Sequence, residues 1–80
     1  MPRVRIKYYA VLREQAGRTD EMLDTSAATA AALYDELRTR YAFRLPREQL
    51  KVAINTDFCD WSQPLADGDE IVFIPPVAGG

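Results

Sequence analysis

Alternation comes first in this chain. From Arg3 to Tyr9, charged and apolar residues take turns, a period of two that predicts a half-buried strand. Val4, Ile6 and Tyr8 share its inner face; Arg5, Lys7 and Tyr9 share the outer one. Ala10 to Ala16 reads as a short helical turn stopped at Gly17. After the turn residues Arg18-Thr19-Asp20, Glu21 to Thr25 reads as a second strand, able to pair with the first as a hairpin. The period then changes. Thr29 has the character of an N-cap, and a helix is expected from Ala30 to Tyr41. Ala30, Leu33, Leu37 and Tyr41 form its core-facing stripe. Phe43, Leu45 and Pro46 open a connecting turn through Gln49. Lys51 to Asn55 is a strand, Asn55-Thr56-Asp57 has turn chemistry, and Phe58 to Trp61 returns as a short strand. Ser62-Gln63-Pro64 breaks it, and Asp67-Gly68-Asp69 is a strong turn signal. Glu70 to Ile74 is the last strand, with Ile71 and Phe73 on one face and Val72 and Ile74 on the other.

The order is strand, strand, helix, strand, short strand, strand. It predicts an α+β domain, a mixed sheet with one main helix packed on one face. The β-grasp, or ubiquitin-like, roll fits both the order and the length. A domain over residues 1–74 and a C-terminal tail over 75–80 are expected.

Composition narrows the function classes. Eighty residues, 48% of them hydrophobic and 28% charged, describe one small soluble domain with a modest core. No run is apolar and long enough for a membrane helix, and no secretory leader is visible. A cytoplasmic location is the default expectation. The chain has no histidine, which removes the commonest general base and transition-metal ligand. The one cysteine, Cys59, rules out an internal disulfide. With Asp57 and Asp60 beside it and no cation nearby in sequence, Cys59 reads as a half-buried hydrophobe rather than a reactive thiol. Asp57 with Asp60, and Asp67 with Asp69, are paired acids lacking a third ligand, so no metal site is expected. Residues 57–80 carry five acids and no Lys or Arg, a stretch unsuited to nucleic acid. That charge fits a basic partner surface as well as a solvated set of turns.

The remaining chemistry is at the chain end, "IVFIPPVAGG". Pro75 and Pro76 hold the backbone extended and cannot continue a hydrogen-bond ladder. Val77, Ala78, Gly79 and Gly80 then form a slim peptide. Without a Cβ, the two glycines pass through a channel too narrow for other residues. A terminal glycine carboxylate is sterically open and ionised at neutral pH. It can attack the α-phosphate of ATP to form an acyl-adenylate, a mixed anhydride open to a sulfur or amine nucleophile.

These residues carry a resemblance. "LADGDEIVFIPPVAGG", the opening "VRIKYYAVLREQAG", the helix segment "TAAALYDEL" and the strand "VAIN" together resemble the small subunits of molybdopterin synthase, a family of β-grasp sulfur carriers. The likeness covers nearly the whole chain. It implies that Gly80 is adenylated by an E1-like enzyme using ATP, with no cofactor held permanently. A sulfur-donating enzyme would then convert Gly80 to a thiocarboxylate. Threaded through Gly79, Ala78, Val77, Pro76 and Pro75, the tail would deliver sulfur to cyclic pyranopterin monophosphate in the synthase large subunit. The carrier would supply no catalytic side chain. A heterotetramer of two small and two large subunits is the family expectation. The family docks through an apolar patch on the outer sheet face, matched here by Tyr9, Phe58 and Ile74. Two rival readings share the first activation step: a carrier for thiamine or tRNA thiolation, and a ubiquitin-like modifier joined to lysines.

Overall fold

The computed structural model describes residues 2–76. Its elements run β1 (Arg3–Lys7), α1 (Ala10–Ala16), β2 (Asp20–Asp24), α2 (Ala30–Tyr41), a 3-10 turn (Arg47–Gln49), β3 (Lys51–Ile54), β4 (Asp57–Cys59) and β5 (Glu70–Ile74). The five strands form one sheet in the order β2-β1-β5-β3-β4. β1 and β5 lie parallel at its centre, and every other neighbouring pair is antiparallel. The mixed sheet and the packed helix are the α+β arrangement expected from the pattern. Among the described residues no helix is long and apolar enough to cross a membrane.

Val4, Ile6 and Tyr8 are buried, as alternation predicts, and they meet Ile71 and Phe73 of β5 and Val52 of β3. α2 closes that face. Its N-terminus is well satisfied: the Thr29 hydroxyl accepts the Ala32 N–H at 3.2 Å. The N–H groups of Ala30 and Ala31 donate to the carbonyls of Gln63 and Trp61 at 3.0 and 2.9 Å. Donors that a helix start leaves without partners thereby tie the segment after β4 to the helix. Ala30, Leu33 and Leu37 are buried as the stripe requires, while Tyr41 is half-buried. Tyr34, outside the predicted stripe, is fully buried; it packs on Phe43, Trp61 and Phe73 and donates its hydroxyl to the Leu45 carbonyl at 2.6 Å.

Some boundaries differ from the expected ones. β1 stops at Lys7, because Tyr9 has become the N-cap of α1 and its carbonyl accepts the Leu12 N–H at 3.1 Å. β2 is shifted one residue earlier than Glu21–Thr25, and Thr25 turns its buried hydroxyl onto Glu36 at 2.9 Å. The two strands pair antiparallel as expected, joined through α1 rather than by a tight turn. β3 ends at Ile54, and Asn55 and Thr56 both take positive φ, 52° and 74°, to reverse the chain. The return strand is Asp57–Cys59, not Phe58–Trp61. Trp61 leaves it to stack on Phe73, with centroids 5.8 Å apart.

Candidate functional site

The sheet's second face carries no helix. Strand registers place its outward residues in rows. One row crosses all five strands: Asp20, Lys7, Val72, Ala53 and Phe58. The neighbouring position on β5 is Ile74, paired with Lys51 of β3. The half of the face built by β5, β3 and β4 is therefore mostly apolar, with Glu70 and Lys51 at its ends, and the half built by β1 and β2 is charged apart from Met22.

Phe58 dominates the apolar half at 68% exposed, although it sits directly opposite Ala53, itself 5% exposed. Val72 and Ile74 are half-buried beside them. A largely bare phenylalanine continuous with three smaller apolar residues is the kind of patch that marks an interface. The Lys51 ammonium lies 6.0 Å from the centre of the Phe58 ring. Lys7 pairs with Glu70 at 3.6 Å.

The structure thus brings Phe58 and Ile74 to one face. Tyr9 is 48% exposed but lies two residues past the end of β1, where it lines a recess with Lys7, Arg13, Thr19 and Asp20 on the β2 side. Val72, Ala53 and Lys51 complete the patch and were not among the sequence candidates. The signal for Ala53 was available: with Val52 facing inward, alternation turns Ala53 outward.

The tail leaves from this face. Ile74 is the last residue of β5, and Ile74, Pro75 and Pro76 line a cleft with Gln49 and Lys51. Pro75 is half-buried and Pro76 exposed. Val77, Ala78, Gly79 and Gly80 lie outside the described residues.

The other candidate groups are structural. The Asp69 carboxylate accepts the Asn55 amide at 2.9 Å and the Ala66 N–H at 2.8 Å, and Asp67 accepts the Arg3 N–H at 2.8 Å. These acids close turns. No group of three or more His, Cys, Asp or Glu able to hold a metal occurs among the described residues. Burial pushes the Cys59 thiol up, with Asp60 adding to the effect, and the thiol donates to the Val52 carbonyl at 3.8 Å. That environment disfavours the thiolate. One buried carboxylate escaped the sequence reading: Glu21 accepts hydroxyls from both Tyr8 and Tyr41 and pairs with Arg18 at 3.3 Å. It ties α2 to β1 and β2.

Three comparisons bear on this geometry. The model of the ThiS family matches residues 6–80. The molybdopterin synthase sulfur carrier subunit of Escherichia coli strain K12 is 31% identical over 80 residues, covering 96% of this chain and 99% of that protein. The solution structure of the small archaeal modifier protein 1 (SAMP1) from Methanosarcina acetivorans superposes with a TM-score of 0.80 at 25% identity, covering 100% of this chain and 98% of that one. The complex of subunits 1 and 2 of the molybdopterin-converting factor from Helicobacter pylori contains a chain of the same fold, with a TM-score of 0.69 at 23% identity over 98% of this chain and 99% of that one.

Proposed function

The chain belongs to the ThiS family, and from that premise we propose that it is a sulfur carrier of molybdopterin biosynthesis whose reacting group is the carboxylate of Gly80. An E1-like enzyme supplies ATP; the carboxylate attacks its α-phosphate, pyrophosphate leaves, and an acyl-adenylate forms. Sulfide-level sulfur, released from a donating enzyme with a thiol as reductant, then displaces AMP and leaves a thiocarboxylate. In the active site of the synthase large subunit, the thiocarboxylate sulfur bonds to cyclic pyranopterin monophosphate, and water hydrolyses the resulting thioester, releasing the carrier as the carboxylate. Each carrier brings one sulfur, so the two sulfurs of the dithiolene require two charging events. No side chain of this chain takes part in the chemistry, and no cofactor stays bound. All of this is assigned to the cytoplasm.

The observation that carries the reading is the position of Ile74. It belongs to the exposed apolar face and also ends β5, so a partner that covers Phe58, Val72 and Ile74 receives the root of the tail at the same place. The likeness along the full length of the E. coli carrier subunit supports the choice of pathway. The large subunit is accordingly the proposed partner, in a heterotetramer of two of each chain.

Intact-mass measurement tests the tail. After incubation with ATP, the activating enzyme and a sulfur source, the protein is expected to gain the mass difference between sulfur and oxygen at Gly80. Gly79→Val, or one residue appended after Gly80, is expected to abolish transfer with the fold intact. No mass change with a competent activator, or transfer that survives those changes, overturns the reading. The likeness to a small archaeal modifier protein favours one second reading, in which the activated Gly80 joins to lysine amines. Isopeptide-linked products instead of a thiocarboxylate mark that outcome.

A further inference from the structure

The chain carries a net charge of −2, yet its docking face holds two cations without a carboxylate partner among the described residues. Four cations point outward from the inner strands of the sheet: Arg3, Arg5 and Lys7 on β1 and Lys51 on β3. Arg3 is held by Asp24 at 3.0 Å and Lys7 by Glu70 at 3.6 Å. Arg5 stands opposite Met22 on one side and Glu70 on the other, and Glu70 is engaged by Lys7. Lys51 rests over the Phe58 ring. Neither Arg5 nor Lys51 has a carboxylate within 4.0 Å among the described residues. Asp20 and Asp60, which make no ion pair among the described residues, stand at the rims, on β2 and just beyond β4. In the last third, Asp67 and Asp69 are fixed by turn hydrogen bonds at the Arg3 and Arg5 end of the sheet, and the Asp69 carboxylate holds Asn55, at the opposite end of β3 from Lys51.

A partner that covers the apolar row also covers Lys51 and crowds Arg5. Removing an unpaired cation from water is costly unless an opposite charge replaces the lost hydration. We infer that the surface docking on this face has an apolar centre bordered by carboxylates, one placed for Lys51 beside Phe58 and one for Arg5, across from Glu70 and diagonal to Val72. The inference rests on the docking reading above and specifies its partner chemistry. It runs against the basic partner surface that the acidic last third implies when residues are only counted. Charges at such a border act mainly on encounter, because they steer the approach over several ångströms before contact.

Association kinetics with the cognate large subunit test this. With the wild-type carrier, the association rate is expected to fall as sodium chloride rises, since screening shortens the reach of the border charges. The Arg5→Glu/Lys51→Glu carrier is expected to associate about tenfold more slowly and to lose that salt dependence. Arg5→Gln/Lys51→Gln should lie between the two, and it decides the matter if the reversed variant folds poorly. Association that is unchanged in both variants and insensitive to salt overturns the inference. Phe58→Asp separates the layers. If it weakens binding while the charge variants do not, the apolar docking face stands and the acidic border is wrong. If it leaves binding unchanged, the docking face itself is wrong and the border falls with it.

Discussion

Removing the Phe58 ring should cost binding far more than folding, and both magnitudes follow from its position. A phenylalanine can bury about 150–250 Å². With 68% of its surface bare in the free chain, about 100–170 Å² is available to a partner. At about 25 cal/mol per Å² that area is worth roughly 2.5–4 kcal/mol. Alanine keeps part of it, so Phe58→Ala is expected to lose about 2–3 kcal/mol of association, a rise of about 30- to 150-fold in Kd. The fold has little to lose at the same site. Phe58 sits on the three-residue edge strand, and its neighbours on this face are Ala53 and the Lys51 ammonium. A cross-strand contact and an exposed cation–π contact are each worth about 0.5–1 kcal/mol at most. Calorimetric titration of the large subunit reads the first quantity, and urea denaturation of the free carrier reads the second. A Kd within threefold of wild type would refute the assignment of Phe58 to the interface. So would an equal loss in both assays, because the residue would then be acting through the fold.

The Glu21 cluster predicts an alkaline weakness. Burial, reinforced by the hydrogen bond to Glu21, raises Tyr8 well above its ordinary value of about 10, and the same causes raise Tyr41. Groups whose protons are held more tightly in the folded state contribute stability that is whole below pH 10 and falls as pH climbs above it. Urea midpoints measured at pH 9 and pH 11 should drop accordingly, and Tyr8→Phe should shallow the drop; an identical slope in that variant counts against the cluster. The β3–β4 turn predicts a gain. Thr56 is β-branched yet holds φ at 74°, a conformation that costs an L-residue about 1–2 kcal/mol and glycine almost nothing. After the flexibility glycine adds to the unfolded chain, Thr56→Gly should stabilise by about 0.5–1 kcal/mol, and a lowered thermal midpoint would show that the turn relaxes otherwise.

Local signals were legible where one residue type satisfies one backbone need. Gly17 ends α1 at φ 74°, and Thr29 caps α2, both as read. The C-terminus of α2 carried no such mark, since Ala42 takes the left-handed position that glycine or asparagine usually signals. β2 hid its orientation. Its inward residues are Glu21 and Leu23, and Met22 faces out at 51% exposed. Hydropathy favours the Leu23 face but gives no reason for a carboxylate to share it. The carboxylate is tolerated inside only because Tyr8 and Tyr41, distant in sequence, bring hydroxyls to it. The parallel pairing of β1 with β5 is likewise non-local; no short-range pattern states which strand lies beside which. Tyr34 was missed for a related reason. A four-residue stripe through Leu33 and Leu37 leaves it on the flank, and its burial depends on Phe43, Trp61 and Phe73 converging from three other segments.

The same distinction bears on what charge counting says of a partner. Five acids in residues 57–80 make that stretch acidic on paper. Carboxylates between Pro64 and Glu70 serve the fold as acceptors for turn amides, fixing the chain locally. Asp69 closes the turn at Ala66 and anchors the Asn55 side chain, whose amide oxygen in turn accepts the Glu70 N–H at 3.0 Å. Those contacts set the register in which β5 enters the sheet. Register, in turn, decides that Val72 and Ile74 face outward with Phe58 and that Pro75 leaves beside Lys51. A one-residue slip would turn Ile71 and Phe73 outward, bury the patch and redirect the tail. The acids therefore hold the strand whose outer residues and whose end make the proposed docking face, and Arg5 and Lys51 are the cations on that face with no carboxylate within 4.0 Å among the described residues.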